Sequence, residues 1–438
     1  MAESERVVLI GAGSTCALAA VRLAERGYRV TVLEQRAIGN GSSSRSSACI
    51  RAQFGVEDTV LGMRYSEWWY AHMAELLHAP EGDTQPVLRQ NGYLFLYEDP
   101  DQAAPPWKPA LRRAAAVAWQ RAREQVAMQR RLGLPVEVLE PGEVHRRWPH
   151  IEAERLAGAT WCAEDGFLLP HLIYGEGFRR ARELGAEIIT DAEVTGATLR
   201  DGRIVSVQTP AGSFAGDWFV NGTNAWAPRV SRRIGGMVLP IEPIKRYLYF
   251  LKPQRPIMGD EEWERLPMTI FGLGGGRGTV ARPDGPQLMI EYAHEAEPEP
   301  DFTNEDQDAI APGFGHAHGV ENLGYALVEQ IADFAPRLAN CGGLAATTCG
   351  YYAMTPDASP LIGVDAHQRN LVHAAGFSGH GLMHAPITAL LVEAIIAGDV
   401  GTDGRVRLPE PFAEHTIDST TFDPRRDFSQ TVKETMVL

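Results

Sequence analysis

The stretch VVLIGAGSTCALAAVRLAERG at residues 7–27, continued by YRVTVLEQ at 28–35, decides the fold. The β-branched run RVVLI at 6–10 predicts a strand. Leu18, Val21 and Leu23 recur at roughly helical spacing, and YRVTVLEQ predicts a second strand. The result is a β-α-β unit of about thirty residues, the setting a dinucleotide fingerprint requires. Gly11 and Gly13 let the backbone turn tightly and approach a pyrophosphate held at the positive N-terminal end of the helix. Glu34 closes the second strand, where its carboxylate can accept hydrogen bonds from an adenosine ribose and repel a 2′-phosphate. Cys16 stands where a third glycine would allow close helix–strand packing. A small, buryable side chain there reads as a tight packing residue rather than a reactive thiol.

Composition sets the outer bounds. With 438 residues and 44% hydrophobic content, the chain is long enough for two domains, each with its own core. A net charge of -15 argues against nucleic acid or an anionic membrane as the main partner, since phosphate contacts need clustered Lys and Arg. Five scattered cysteines with no CxxC pair suggest neither zinc nor a redox dithiol, and a reducing, cytoplasmic setting is expected. The acidic start MAESERVV predicts no secretion signal. ALLVEAIIAG at 389–398, interrupted by Glu393, is too short to span a bilayer.

Further along, RAIGNGSSSRSSACIRAQFG at 36–55 is serine-rich without an apolar period, and reads equally as a plain loop or a phosphate-contacting one. Residues 107–133 predict a solvated surface helix, and 163–208 a helix, strand and hairpin returning to the first sheet. VLPIEPIKRYLYFLKP at 238–253 and GTVARPDGPQLMIEYA at 278–293 are β-rich and suit an antiparallel sheet in a separate domain. Residues 299–320 read as an exposed loop.

Together with VNGTNAWAP at 220–228, MTPDASPLIG at 354–363, AAGFSGHGLMHAP at 374–386 and the ending RRDFSQTVKETMVL, these motifs resemble the D-amino-acid oxidase family of FAD enzymes. The similarity is to the branch of sarcosine oxidase, dimethylglycine and proline dehydrogenases and related mitochondrial assembly flavoproteins. It covers nearly the whole chain. It implies an α/β fold: a discontinuous Rossmann-like FAD-binding domain (residues 1–85, 145–230 and 345–438) with an inserted, mostly antiparallel substrate domain carrying helices (86–144 and 231–344).

By the same resemblance, Gly11, Gly13, Ser14 and Glu34 hold the ADP half, Ser43, Ser44, Arg45 and Ser46 the pyrophosphate and flavin, and Val194 the adenine. Gly376, Ser378, Gly379, His380, Gly381, Leu382 and Met383 wrap the ribityl chain and the pyrimidine end of the ring. Read bare, GFSGHG is a glycine-rich turn before a helix, whose amides can stabilise negative charge on reduced flavin. Arg51 matches an arginine that binds a substrate carboxylate, a role suited to a bidentate guanidinium, against the alternative of a surface salt bridge. His384 and Tyr292 fall near flavin-facing positions, though either also reads as a satisfied core residue. Arg246 and Tyr249 are weaker candidates.

Departures from the family qualify the reading. Met289 and Met383 stand where relatives carry lysines that serve oxygen reduction and carboxylate binding. Residues 41–51 contain no histidine for a flavin link, and anchoring on MTPD places Gly350, not Cys349, at the position of a flavin-linking cysteine, so FAD is expected to be non-covalent. Asn224 replaces a glycine of the usual segment.

The implied chemistry removes a hydride equivalent from the carbon next to a secondary amine or amino-acid nitrogen, giving an imine that water hydrolyses. The flavin carries the reaction, and oxygen or another acceptor takes the electrons. The alternative is a flavoprotein of assembly or partner binding without amine turnover. A monooxygenase using NAD(P)H fits less well, given Glu34 and the late GFSGHG loop. No metal ligand pattern is present, and an oligomer is left open.

Overall fold

The computed structural model describes residues 4–80, 85–103, 109–253, 256–273, 278–292, 306–315, 322–340 and 342–434. Most of the predicted loop at 299–320 lies outside them.

Strand β1 (Arg6–Ile10), helix α1 (Ser14–Glu25) and strand β2 (Arg29–Leu33) form the predicted unit, with the two strands parallel. They sit in a six-stranded sheet whose order runs Leu361–Val364, Leu371–Ala375, Trp218–Asn221, β1, β2, Glu187–Ile189. All its pairings are parallel except the first, at the edge. The central strand is apolar because both its faces are covered. Val7 and Leu9 point into a core with α1 and the helices Glu57–Ala71, Pro170–Glu183 and Gly381–Ala397. Val8 and Ile10 point the other way, against Ile204, Val207, Phe219 and Val230.

The helix Gly381–Ala397 is buried on nearly every side, as its apolar composition demands. Its one acid, Glu393, is buried but paired with both Arg22 and Arg26 of α1, which removes the cost of an isolated charge. Among the described residues no helix is long and apolar enough to cross a membrane.

A second, eight-stranded sheet runs Gly343–Met354, Glu242–Lys252, Gln287–Tyr292, Thr279–Asp284, Met268–Leu273, Tyr93–Glu98, Leu156–Cys162, Glu137–Leu139. It is antiparallel apart from the pairing of Met268–Leu273 with Tyr93–Glu98.

Two borders differ from the sequence expectation. Leu156–Cys162, placed with 145–230, pairs antiparallel with Tyr93–Glu98 in this second sheet. Gly343–Met354, mostly placed with 345–438, pairs along the whole of Glu242–Lys252 and belongs there too. Each continues a ladder that begins in the second sheet, so hydrogen bonding holds it there despite the flavin motifs that follow in sequence.

The period-2 alternation of that sheet sets what it offers to each side. Tyr247, Tyr249, Leu251, Ile290 and Cys349 fall on one face, packed on the helix Leu323–Ala332 in a closed core. Arg246 and Leu248, with their register neighbours Gly350 and Glu291, fall on the other, which looks toward the first sheet.

Candidate functional site

A cleft of about 1470 Å³, open to solvent, runs from the N-terminus of α1 to the second sheet. At its first end Gly11 has φ +103°, a conformation glycine supplies without strain, and a Cβ there would sit 3.2 Å from the Gly222 carbonyl oxygen. Gly13 leaves only 3.0 Å between a would-be Cβ and the Ser43 Oγ. That hydroxyl accepts a hydrogen bond from the Ser14 amide at 3.1 Å, joining the serine loop to the helix terminus. The Ser14 hydroxyl is buried and has no hydrogen-bond partner among the described residues. An unsatisfied donor at a helix N-terminus, in a cradle closed to Cβ atoms, suits the pyrophosphate of a dinucleotide.

Glu34 accepts from the amides of Ala12 and Arg36, each at 2.8 Å. Burial raises its pKa against those hydrogen bonds. Val194 lines the same end. Cys16 is 1% exposed and packs over Gly222, where a Cβ would lie 2.2 Å from its Sγ. Burial, and then the charge of Glu34, push the thiol up to about 12, so it stays protonated and inert.

The serine loop folds into a short 3-10 turn, Ser42–Arg45. Ser43, Arg45 and Ser46 line the cleft, whereas Ser44 faces solvent and turns back on Gly41. Arg45 is held by Asp308 and the Gly41 carbonyl. The late loop divides similarly. Gly379, Gly381 and Leu382 line the cleft. Gly376, Ser378, His380, Met383 and His384 are buried behind it. Gly379, at φ +90°, leaves room for the Tyr352 ring, which a Cβ would meet at 2.4 Å.

Asn224 now has a reason. It adopts φ 48°, which asparagine tolerates better than most residues, and its Oδ1 accepts from the amides of Gly376 at 3.2 Å and Phe377 at 3.4 Å. The side chain thus anchors the late loop.

Arg51 does not reach the cleft wall. It is 1% exposed, stacked 3.9 Å over the Phe54 ring and bonded to the Gln53 carbonyl. Its Nη2 lies 3.4 Å from the His380 Nε2. A guanidinium only donates, so that nitrogen accepts and His380 is neutral, consistent with burial holding its pKa well below the usual value. His384 bonds through Nδ1 to the His380 carbonyl at 3.0 Å, and burial lowers its pKa to about 4. Tyr249 is sealed in the core of the second sheet. Tyr292 ends its strand opposite Thr279, and its side chain lies outside the described residues.

With the fold and cleft in place, the comparisons are decisive: the sequence pattern of the FAD dependent oxidoreductase (DAO) family matches residues 6–395. The chain belongs to that family. It is a flavoprotein oxidoreductase whose cofactor is FAD.

Among relatives, it is 25% identical over 403 residues to glycine oxidase from Geobacillus kaustophilus (strain HTA426), covering 89% of this chain and 92% of that one. It is 22% identical over 429 residues to monomeric sarcosine oxidase from Bacillus sp. (strain B-0618), covering 95% and 98%. Among solved structures, L-proline dehydrogenase from P. horikoshii superposes with a TM-score of 0.75 at 27% identity, covering 99% of this chain and all of that one.

The second end of this family cleft holds two residues not singled out from the sequence, Glu291 and Tyr352, beside Arg246 and Gly350, which were. Glu291 is 4% exposed and accepts a hydrogen bond from the Tyr352 hydroxyl at 2.8 Å. Arg246 lies 5.2 Å over the ring of that tyrosine. Gly350 also lines the cleft, and a Cβ there would meet the Arg45 carbonyl at 2.8 Å. Its neighbour Cys349 faces the opposite way, with its thiol donating to the Gln307 carbonyl at 3.2 Å. The signal for these residues was the two-residue spacing along the strands, which becomes readable only once Gly350 fixes which positions face the cleft.

Proposed function

We propose that the protein oxidises the C–N bond of a secondary amine or N-alkylated or free amino acid to an imine, which water then hydrolyses. The observation that carries this reading is the family cleft ending on a buried carboxylate and guanidinium, Glu291 and Arg246, at the junction of the two sheets. Relatives named glycine oxidase, sarcosine oxidase and proline dehydrogenase agree with it.

FAD, when bound, supplies the hydride acceptor. Ser14, Ser43 and the amides at the start of α1 would hold its pyrophosphate, Glu34 its ribose and Val194 its adenine. The turn at Gly379–Leu382 would meet the other end, and Cys349, turned into the core, leaves the cofactor non-covalent. The chain's own side chains orient the amine and exclude water. We further propose that residues of the first sheet and its helices form the FAD-binding part and the second sheet the substrate part.

The test is an anaerobic scan of the purified, yellow protein against a panel of secondary amines and amino acids, followed by admission of oxygen. Bleaching by a panel member is expected. A protein that holds FAD and is bleached by none would refute turnover in favour of partner binding. The rate of recolouring separates an oxidase from a dehydrogenase.

A further inference from the structure

The helix Gly381–Ala397 begins at the cleft and carries a proline, Pro386, in its second turn. In an α-helix the amide of residue 386 would bond to the carbonyl of residue 382. Proline has no such amide, and its ring crowds that carbonyl. The Leu382 carbonyl thus loses its helical donor in a buried setting, where an unpaired acceptor is costly. Another helix makes good the loss. Tyr70, in the last turn of Glu57–Ala71, donates its hydroxyl to the Leu382 carbonyl at 2.6 Å. We infer that Tyr70 is a positioning residue for the flavin end of the cleft, its hydroxyl replacing the amide that Pro386 lacks and fixing the tilt of the Leu382–Met383 peptide. This rests on the placement of the flavin against Gly379–Leu382, and not on amine turnover.

Three observations carry the assignment. The first is the geometry of one peptide unit. The Leu382 carbonyl and the Met383 amide are the two ends of a planar trans peptide and point in opposite directions. The first helical bond runs from the His384 amide to the His380 carbonyl at 3.1 Å, so the Met383 amide belongs to the open first turn. That turn is the one whose Gly381 and Leu382 line the cleft. A hydroxyl gripping the carbonyl therefore aims the amide toward the cleft end of the helix and polarises it as a donor.

A second observation is that Tyr70 stands on a fixed element. A Cβ on Gly62 would lie 3.3 Å from the Cγ1 of Ile387, the residue after Pro386, so the two helices are pressed together beside the proline. The start of Glu57–Ala71 is tied down as well. Asp58 accepts from the Asp418 amide at 3.0 Å and the Thr421 hydroxyl at 2.8 Å, and Glu434 accepts from the amides of Gly55 at 3.0 Å and Val56 at 3.1 Å.

The third is the state of the phenol. Tyr70 is 1% exposed, and burial holds its pKa well above the usual tyrosine value. It therefore stays protonated, and remains a donor, far beyond neutral pH.

Four proteins test this: the parent, Tyr70→Phe, Pro386→Ala and the double variant. The readouts are the two-electron midpoint potential of the bound flavin, FAD affinity by fluorescence titration, and thermal unfolding of the flavin-stripped protein. Tyr70→Phe keeps the ring and removes only the hydroxyl. It should cut the preference for reduced over oxidised flavin about threefold to tenfold, as for one hydrogen bond, a fall in potential of about 15–30 mV. Pro386→Ala restores a helical amide, so in that background Tyr70→Phe should change the preference by less than about twofold. Fluorotyrosine in place of Tyr70, a stronger donor of nearly the same shape, should raise the potential. That variant decides the matter if Tyr70→Phe does not fold.

An equal fall in both backgrounds overturns the exchange of hydroxyl for amide. A potential unmoved by either change at position 70 overturns the role toward the flavin, even if the stripped proteins show the coupling in their melting temperatures. The potentials are taken with dithionite and a reference dye, so they need no amine. If no amine bleaches the flavin while the potentials shift as described, amine turnover fails and the positioning role stands. If amines bleach it and the potentials do not move, the positioning role alone fails.

Discussion

Replacing Gly222 by alanine should destabilise the protein, and replacing Cys16 by alanine as well should remove most of the damage. The added Cβ would stand 2.2 Å from the Cys16 Sγ, about 0.8 Å inside the 3.0 Å limit of real Cβ contacts. Neither side can yield cheaply. Cys16 lies on a helix whose residues are all buried from Ser14 to Val21, and Gly222 follows a strand tied to β1, with its amide bonded to the Ile10 carbonyl at 3.0 Å. Overpacking of this kind costs about 1–3 kcal/mol. Cys16→Ala alone forfeits burial of one sulfur, about 1 kcal/mol. In the double variant the new Cβ meets the Ile10 carbonyl oxygen at 3.5 Å and the Cβ of residue 16 at 4.0 Å, both ordinary contacts. The two changes should therefore couple by about 1–2 kcal/mol in the favourable direction. Thermal unfolding of the four proteins, flavin-loaded and flavin-stripped, measures this. Additive effects would show that the thiol and the glycine are not in contact. A loss of FAD binding in Cys16→Ala or Cys16→Gly would show that residue 16 does more than pack.

Ser14→Ala should weaken FAD binding by about 1 kcal/mol, as for a neutral hydrogen bond, while leaving the stripped protein's melting temperature unchanged, since that hydroxyl has no hydrogen-bond partner among the described residues to lose; fluorescence titration checks both. Gly379→Ala should destabilise by about 1–3 kcal/mol, because it combines φ +90° with a Cβ 2.4 Å from the Tyr352 ring, and a flavin spectrum unlike the parent's should accompany it. His384 is neutral in the fold, with its pKa lowered from 6.5 to about 4, so its share of stability is complete above pH 6.5 and drains as pH falls toward 4. That share is about 3 kcal/mol, and His384→Phe should make denaturant midpoints fall less steeply across that window, where the buried His150 and His380 still contribute. Acid precipitation of the native protein should release all the flavin into the supernatant, and a yellow pellet would contradict a thiol turned into the core.

Much of the nucleotide end was legible because local chemistry dictates it. Gly11, Gly13 and Glu34 follow from what a tight turn and a strand end can hold, and they line the cleft as read. The late loop was legible as a glycine turn before a helix, but not which of its residues face inward. Ser378 and His380 turn away because Ser378 bonds to the Ala353 carbonyl and Arg51 occupies His380. The surroundings of Arg51 were not legible in its motif: its guanidinium sits among the rings of Phe54, Tyr93 and Phe95. Glu291 and Tyr352 were invisible because a strand's face depends on register, and register is a tertiary property. The sheet that Leu156–Cys162 joins was not legible for the same reason: its partner Tyr93–Glu98 lies about sixty residues earlier in the chain.

The six-stranded sheet draws adjacent strands from residues 6–10, 218–221 and 371–375. During synthesis, then, the glycine turn at Gly11 and Gly13, which lines the cleft, emerges ahead of its partner strands and waits. The neighbours that flank β1 on that side arrive only after the second sheet has begun to form, and the loop anchored by Asn224 emerges later still. Contacts of such long range form slowly. The cleft is therefore complete only after residues 371–382 have been made, and the cofactor supply should influence how much of the chain escapes aggregation rather than how fast its first unit folds.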